Sequence, residues 1–468
     1  NTIGYTGNYS ATIPSYFTNF HNLTISGTGT KTLSVNTTLN ANLAFSSSGY
    51  LECSTYNLSV TGTTTLPASA SSTLSKNGAG NVTFIGLLLI GNPNILSFTG
   101  NPNVEVRGGI THQSNSTINA GTGTWSFTTN NQTISMAGNG ITFYDILIGN
   151  SIVLTNTGSS ILGITNSING SNASSSFVCQ GVCYLYSSIT PMTTGIIDIT
   201  TSPNTLGFFG NVTMNLPYIT YSSLAIGGTG IKSLSGNTTL NANLTIGTSA
   251  TLECSTYNLT INGTTTLSIT TNGTLSKNNT GNILFVGSVT CQSSGNKFDF
   301  TGNPTLEFRN GATLSNTTIN LGTGNLNIST NSQTFAIATT INNNITIIGA
   351  ITTTCSGTSW IQKGSITGNN VLSTFTMAAS STLNYQSATQ PMATGVLDTS
   401  TNLNTWIYGL NNQNIKGGPT TLTKQVYRNL TLNGTGVKTL QGYVSVLNTY
   451  TLTSPATLAL NGYTLTNP

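Results

Sequence analysis

Charge is what this chain has least of. Only 4% of its 468 residues are charged, 12 basic against 8 acidic, with two histidines besides. A formal net charge of +4 over that length makes no basic patch fit to neutralise a phosphate backbone, so nucleic acid is excluded as an expected partner. Disorder is excluded from the other side. Disordered chains combine low hydrophobicity with high charge, whereas 36% of these residues are hydrophobic, including 16 Phe and 17 Tyr. A membrane span needs roughly 18 to 20 apolar residues, and the longest candidate, Phe84 to Ile90, falls far short. No sustained 3.6-residue apolar stripe occurs, so helices are expected to be few. The chain opens on Asn1 without a charged, apolar signal region, which reads as the start of a processed or trimmed chain.

Catalytic groups are equally sparse. His21 and His112 stand far apart, with no Cys or acid at ligand spacing, so neither a zinc site nor a nucleophile-histidine pair is supported. The acids are Glu52, Glu105, Asp145, Asp198, Glu253, Asp299, Glu307 and Asp398. Glycoside cleavage needs two carboxyl groups gathered around a cleft, and these are scattered. Gly-Thr-Gly sequences lack the Lys-Ser/Thr ending of a phosphate loop and read as turns. The expectation is a chain with no enzymatic activity, no cofactor and no metal.

What the chain has instead is repetition. Gly27 to Leu58, GTGTKTLSVNTTLNANLAFSSSGYLECSTYNL, returns almost unchanged at Gly228 to Leu259, and a shorter relative begins at Gly434. The copies align on Lys31, Lys232 and Lys438, and further matches persist between them, such as Leu74-Ser75-Lys76-Asn77 with Leu275-Ser276-Lys277-Asn278 and Pro191-Met192 with Pro391-Met392. This divides the chain into a preceding tail or cap (1–20), module one (21–222), module two (223–428) and the start of a third (429–468). The third copy stops at Pro468 in mid-pattern, so the array is expected to belong to a longer modular protein.

Within a module a finer beat recurs: Asn, apolar, any, apolar, as at Asn22, Asn42, Asn57 and Asn81, and again at Asn243, Asn258 and Asn282. Each beat is a short strand with alternating inward and outward residues, bounded by Gly, Asn and Ser turns. A beat near 20 residues that cannot bury its own apolar face must stack on copies of itself. The expected fold is all-β, a right-handed parallel β-helix (solenoid) built from about 200-residue modules. About 23 coils at about 4.8 Å each would make a rod on the order of 110 Å long. The alternative is an array of β-sandwich domains, disfavoured by the scarcity of tight two-residue hairpin turns.

Several residues are singled out as sites. Cys179-Gln-Gly-Val-Cys183 can close a small disulfide if Gln180 and Gly181 make a tight turn; a plain extended strand would hold the two Cα atoms about 13 Å apart, too far for the bond. Glu52 is expected to point outward and to be dispensable, because the third copy has Ala459 in its place; Cys53 next to it reads as an interior site. Glu105-Val-Arg107 and Glu307-Phe-Arg309 place opposite charges two apart on one strand face, as surface ion pairs. Glycosylation sequons occur at Asn22, Asn57, Asn243, Asn258 and Asn429, at a frequency that an Asn-, Ser- and Thr-rich composition itself produces. Tyr16, Phe17, Tyr218, Tyr221 and Trp406, near module edges, are candidate glycan contacts. Lys416, Lys424, Arg428 and Lys438 read as a weakly basic solvated face.

Runs such as NLTISGTGTKTLSVNTTLNANL and ATLECSTYNLTINGTTTL resemble the repeats of extracellular parallel β-helix proteins, the large adhesins and viral spike or fibre proteins. The resemblance implies attachment of a cell or virion to host or neighbouring glycans or glycoproteins and an extracellular location; the sequons permit a glycoprotein, and a homo-oligomer is a further partner considered. It carries over no functional residue. The function expected is a non-enzymatic structural or attachment rod without a membrane span. Two alternatives have their own signs: a polysaccharide-degrading tailspike-like enzyme would release new reducing ends, and a surface-layer or filament subunit would self-assemble.

Acid unfolds proteins largely by protonating carboxylates that are paired in the native state, and here few exist. A melting series should therefore show only a small loss of stability between neutral pH and about pH 3; a large loss would contradict this reading.

Overall fold

The computed structural model describes residues 1–68, 71–187, 191–200, 204–268, 270, 272–293, 295–315, 317–320, 322–401 and 403–467. Pro468, the expected stopping point of the third copy, lies outside them. The chain forms two compact units, Asn1–Leu224 and Ala225–Pro468. Their described residues contain strands and turns and no helix.

In the first unit each turn of chain makes three short strands. One coil runs through Leu43–Ser46, Tyr50–Glu52 and Leu58–Val60, and the next through Thr64–Leu66, Thr73–Ser75 and Asn81–Phe84. Every strand pairs in parallel with the one a turn later: Leu43 with Thr64, Leu51 with Leu74, Leu58 with Val82. The register sets the period, since Thr2 pairs with Asn22, 20 residues on, and Thr64 with Leu88, 24 on. Ten strands stack this way on the first face, from Thr2–Tyr5 to Ile196–Asp198. Corners are turned by residues in the left-handed region, Ser47, Ser48 and Ser54 among them.

Alternation puts one side of every strand inside. Leu58, Val82, Val104 and Trp125 stack in register down one interior ladder, fully or almost fully buried. Burying each such side chain contributes about 1.5–3 kcal/mol, and Trp125 also packs on aromatic neighbours, stacked on Phe98 at 5.8 Å and tilted against Phe143 at 4.8 Å. Further along, two faces merge. The strand Ile141–Ile148 pairs with both Thr117–Asn119 and Thr124–Phe127, and with the following Ile161–Gly170 across a register shift between Phe143 and Asp145.

The second unit follows the same plan. Ile231–Ser233, Thr251–Glu253 and Thr274–Ser276 stack in parallel, as do Thr238–Leu240, Leu259–Ile261 and Asn282–Phe285. Near its end the long strands Gln425–Leu432 and Val444–Leu452 pair across a shift between Tyr427 and Asn429. Each unit is therefore a parallel β-solenoid, and together they comprise about 20 turns, close to the expected 23. Strand pairing among the described residues is parallel throughout, with one isolated antiparallel bridge between Gly418 and Tyr443. Sandwiches need antiparallel sheets, so the alternative architecture is excluded.

Cys179 ends the strand Ser176–Cys179 and Cys183 lies in Val182–Leu185. The corner between the strands folds the chain back enough to bring their Cα atoms to 6.6 Å, and the two are joined as a disulfide. Cys53, Cys254, Cys291 and Cys355 are buried free thiols. Alkylation of the unfolded, unreduced chain should add four groups by mass; six would refute the bridge.

Candidate functional site

The side chains that recur between copies meet at the interior corners, where strand ladders break and backbone groups lose their partners. Lys31 is fully buried, and its Nζ donates to the carbonyls of Gly7, Tyr9 and Gly29 at 2.9, 2.9 and 2.8 Å. Three acceptors match the three donors of an ammonium group. Lys76 donates to Ser54 O and Tyr56 O (3.1 and 2.6 Å), and Lys277 repeats this on Ser255 O and Tyr257 O (2.9 and 2.5 Å). Lys232 donates to Gly230 O, and Lys438 to Leu410 O, Asn411 O and Gln413 Oε1. Burial lowers the pKa of all five ammonium groups. Lys31, Lys76, Lys277 and Lys438 act as tethered cations that hold one coil's turn to the next.

Glu52 keeps the outward side of its strand, between the interior Leu51 and Cys53, but it is not left free there. It is 8% exposed, covered at the corner, where its carboxylate accepts from Ser54 N (2.5 Å), Asn77 N (3.2 Å) and Ser75 Oγ. Glu253 does the same for Ser255 N (2.6 Å), Asn278 N (3.2 Å) and Ser276 Oγ (2.6 Å). Strand alternation places Glu52 on the outer side, and the corner's exposed amides then hold its carboxylate against the protein, a role the sequence did not reveal. Gly80 passes close by with φ +119°, and a Cβ there would sit 2.9 Å from Asn57 Oδ1 and 3.2 Å from Lys76 Nζ, which requires glycine on both counts.

Amides complete the system. Asn22, Asn42 and Asn57 each accept from a backbone N–H one coil on, those of Asn42, Thr63 and Asn81, at 3.0, 2.8 and 2.8 Å. Inside, Gln132 bonds Gly109 N and Val106 O, and Gln333 bonds Gly311 N and Phe308 O in the same way.

These contacts redistribute the sequence candidates. Tyr221 is fully buried with its hydroxyl donating to Pro217 O at 2.6 Å, and Trp406 is fully buried among Phe375, Tyr385 and Tyr408. Neither reaches a glycan; their large apolar area is held in the core. Tyr16 and Tyr218 are 76% and 68% exposed, and Phe17 is half-buried against Tyr16 and Phe20. The sequons differ among themselves. Asn57, Asn243 and Asn258 are exposed, with Oδ1 accepting from the neighbouring coil. At Asn429 the nitrogen that a glycan would occupy donates to Asn404 O at 2.6 Å. The supposed basic face is also divided, because Lys438 is buried and Lys416 Nζ bonds Met392 O at 2.6 Å.

The ion pairs Glu105–Arg107 and Glu307–Arg309 form locally, each between a strand residue and the arginine just past that strand's end, at 2.9 and 2.8 Å. Glu105 lines a shallow concavity of about 480 Å³ with Asn81, Thr83, Asn103, Ser126 and Thr128, and it is the only acid there. The Arg107 hydrogen bond holds its carboxyl below the usual range; at Glu307, burial raises the pKa but bonds from Ser329 and Arg309 outweigh it. Buried thiols go the other way, Cys53 and Cys254 being pushed up to about 12, so they stay protonated. His112 is buried, its Nε2–H donating to Ser116 O, and burial lowers its pKa. Among the described residues no group of three or more His, Cys, Asp or Glu is placed to hold a metal, and no helix is long and apolar enough to cross a membrane.

Fold and corner chemistry together define a parallel β-solenoid whose repeated polar side chains join coil to coil. Compared with known proteins, the chain matches no protein-family profile, no curated protein and no solved structure.

Two outcomes follow from the corner bonds and ion pairs. Lys76→Met leaves two partly buried carbonyls without their ammonium and should destabilise the first unit by about 1–3 kcal/mol, and Glu52→Ala by about 1–2 kcal/mol, in urea unfolding. Lys297→Met, on the surface, should change little; equal behaviour of all three would refute the corner role. The carboxyls of Glu105 and Glu307 have lowered folded pKa values, so their stabilisation is present above the ordinary value of 4.5 and lost as pH falls through the lowered one. Both are partly exposed, so the effect is small. Thermal melting should be flat toward pH 5 and decline modestly only below 4.5, and Arg107→Ala should shrink that decline.

Proposed function

We propose that this protein is a non-enzymatic extracellular attachment or structural protein, a β-solenoid displayed on a virion or cell surface where it meets host or neighbouring glycans or glycoproteins. The observation that carries the reading is the use made of the polar side chains. The repeated Lys and Gln residues turn inward, and Glu52 and Glu253 close on the corners, to bond one coil to the next rather than gathering at a cleft. What faces outward is mostly uncharged Thr, Ser and Asn, a surface suited to weak, neutral contacts. The exposed Tyr16 and Tyr218 add aromatic faces to it. A closely bonded scaffold with few titratable groups also suits exposure to variable surroundings.

Immunogold labelling of source cells and associated virus particles with an antibody to this chain tests the proposal. Gold on particle spikes or on the cell envelope is the expected result. Gold confined to the cell interior would overturn it, and release of reducing ends from cell-surface glycans by the purified chain would replace attachment with cleavage.

A further inference from the structure

Tyr184, Tyr186 and Phe209 form an outward-facing aromatic cluster on the first unit. Tyr184 packs on Phe209 at 4.4 Å between ring centroids, Tyr186 lies 5.9 Å from Phe209, and Tyr186 stands edge-on to Tyr184 at 6.5 Å. Tyr186 is 42% exposed, and the other two rings are partly so. In the register Tyr184 pairs with Gly163 on one side and Gly207 on the other. The rings use the space these glycines leave: a Cβ on Gly207 would lie 2.5 Å from the Phe209 ring and 2.7 Å from the Tyr184 ring, and one on Gly163 would lie 2.7 Å from Thr142 Oγ1 and 3.3 Å from the Tyr186 ring.

The second module shows that the fold does not require this arrangement. Counting from the shared Pro-Met pair, Tyr184, Tyr186 and Phe209 correspond to Asn384, Gln386 and Gly409. There the register runs Ile361, Asn384, Ile407, where the first module has Gly163, Tyr184, Gly207. Large and small residues have exchanged places, so the backbone accepts either pattern, and the aromatic one leaves three rings at the surface. The same coil carries the Cys179–Cys183 disulfide, which ties down the strand that presents Tyr184.

We infer that Tyr184, Tyr186 and Phe209 form a binding platform for a neutral pyranose sugar. The cluster is too small for a stable protein partner. A whole aromatic side chain has about 150–250 Å² to bury, so three partly exposed rings offer less than about 300 Å², against about 800 Å² for one side of a typical protein interface. That area fits one or two sugar rings. The apolar C–H face of a pyranose stacks on an aromatic face, and the two phenol hydroxyls and Thr142 Oγ1 can bond its hydroxyls. None of these side chains carries a charge, which favours a neutral sugar.

The inference rests on the attachment reading and names its ligand class. Saturation-transfer NMR at millimolar cellohexaose, mannohexaose and hexa-N-acetylchitohexaose tests it, because stacking on a ring platform discriminates weakly among neutral pyranoses. Transfer to sugar C–H protons is expected from the wild-type chain with at least one probe. It should fall at least tenfold both in Tyr184→Asn/Tyr186→Gln and in Gly163→Ile/Tyr184→Asn/Tyr186→Gln/Gly207→Ile/Phe209→Gly, which carries the second module's whole exchange and whose melting temperature should match wild type. Absence of transfer from all three probes, or equal transfer in either variant, overturns the platform. So does a wild-type dimer in sedimentation that dissociates in the variants, which would make a second copy the occupant. The attachment reading depends on where the gold label falls, so the two can fail separately.

Discussion

At every corner of a solenoid coil the strand ladder breaks, and the chain must find partners there for amides and carbonyls that have left the sheet. A buried backbone group without a partner costs about 1–3 kcal/mol, and the cost recurs with each turn. In this protein the answer is a set of side chains that reach from one coil to the next. Lys31 closes on three carbonyls, Lys76 on two, Glu52 gathers two amides and a hydroxyl, and Asn22 and Asn42 each accept an amide from the coil that follows. Inward ladders of Leu, Val, Ile and Phe supply the burial, but the corners determine that one coil seats on another in a single register.

That constraint also explains the composition. A lysine whose ammonium is enclosed by carbonyls, or a glutamate enclosed by amides, is a structural element that happens to be ionisable, and several of the few charged residues are used so. The consequence for chemistry is direct. Side chains committed to coil-to-coil bonds are not available to a substrate, and burial holds the thiols of Cys53 and Cys254 in their unreactive form. Outward positions carry no such duty and can diverge, as the exchange of Gly163, Tyr184 and Gly207 for Ile361, Asn384 and Ile407 shows.

Much of the architecture was legible from residue order. Strand beats at Asn22, Asn57 and Asn81, the recurrence of the Lys31 block and the shortage of hairpin turns all pointed to stacked parallel coils, because alternation and turn chemistry are local properties. The corner lysines left a signal that went unread. In a chain with only 12 basic residues, Lys31, Lys232 and Lys438 each follow a Gly-Thr-Gly turn, and a residue type so rare and so regularly placed has a reason to be there.

By itself, then, the sequence determined the strand class, the coil period and the repetition of modules, since each depends on neighbours a few residues away or on self-similarity. Only the tertiary structure decided which side chains turn in and which turn out. Lys76 goes inward because the coil a turn away presents carbonyls to it, and Glu52, on the outer side of its strand, is drawn onto the corner by amides of its own and the next coil. Tyr221 and Trp406 go inward because apolar rings are best covered in the core, while Tyr184 and Tyr186 stay out over glycines contributed by the adjoining coils. Those partners stand about 20 residues away in the chain and are brought together only when the coils stack.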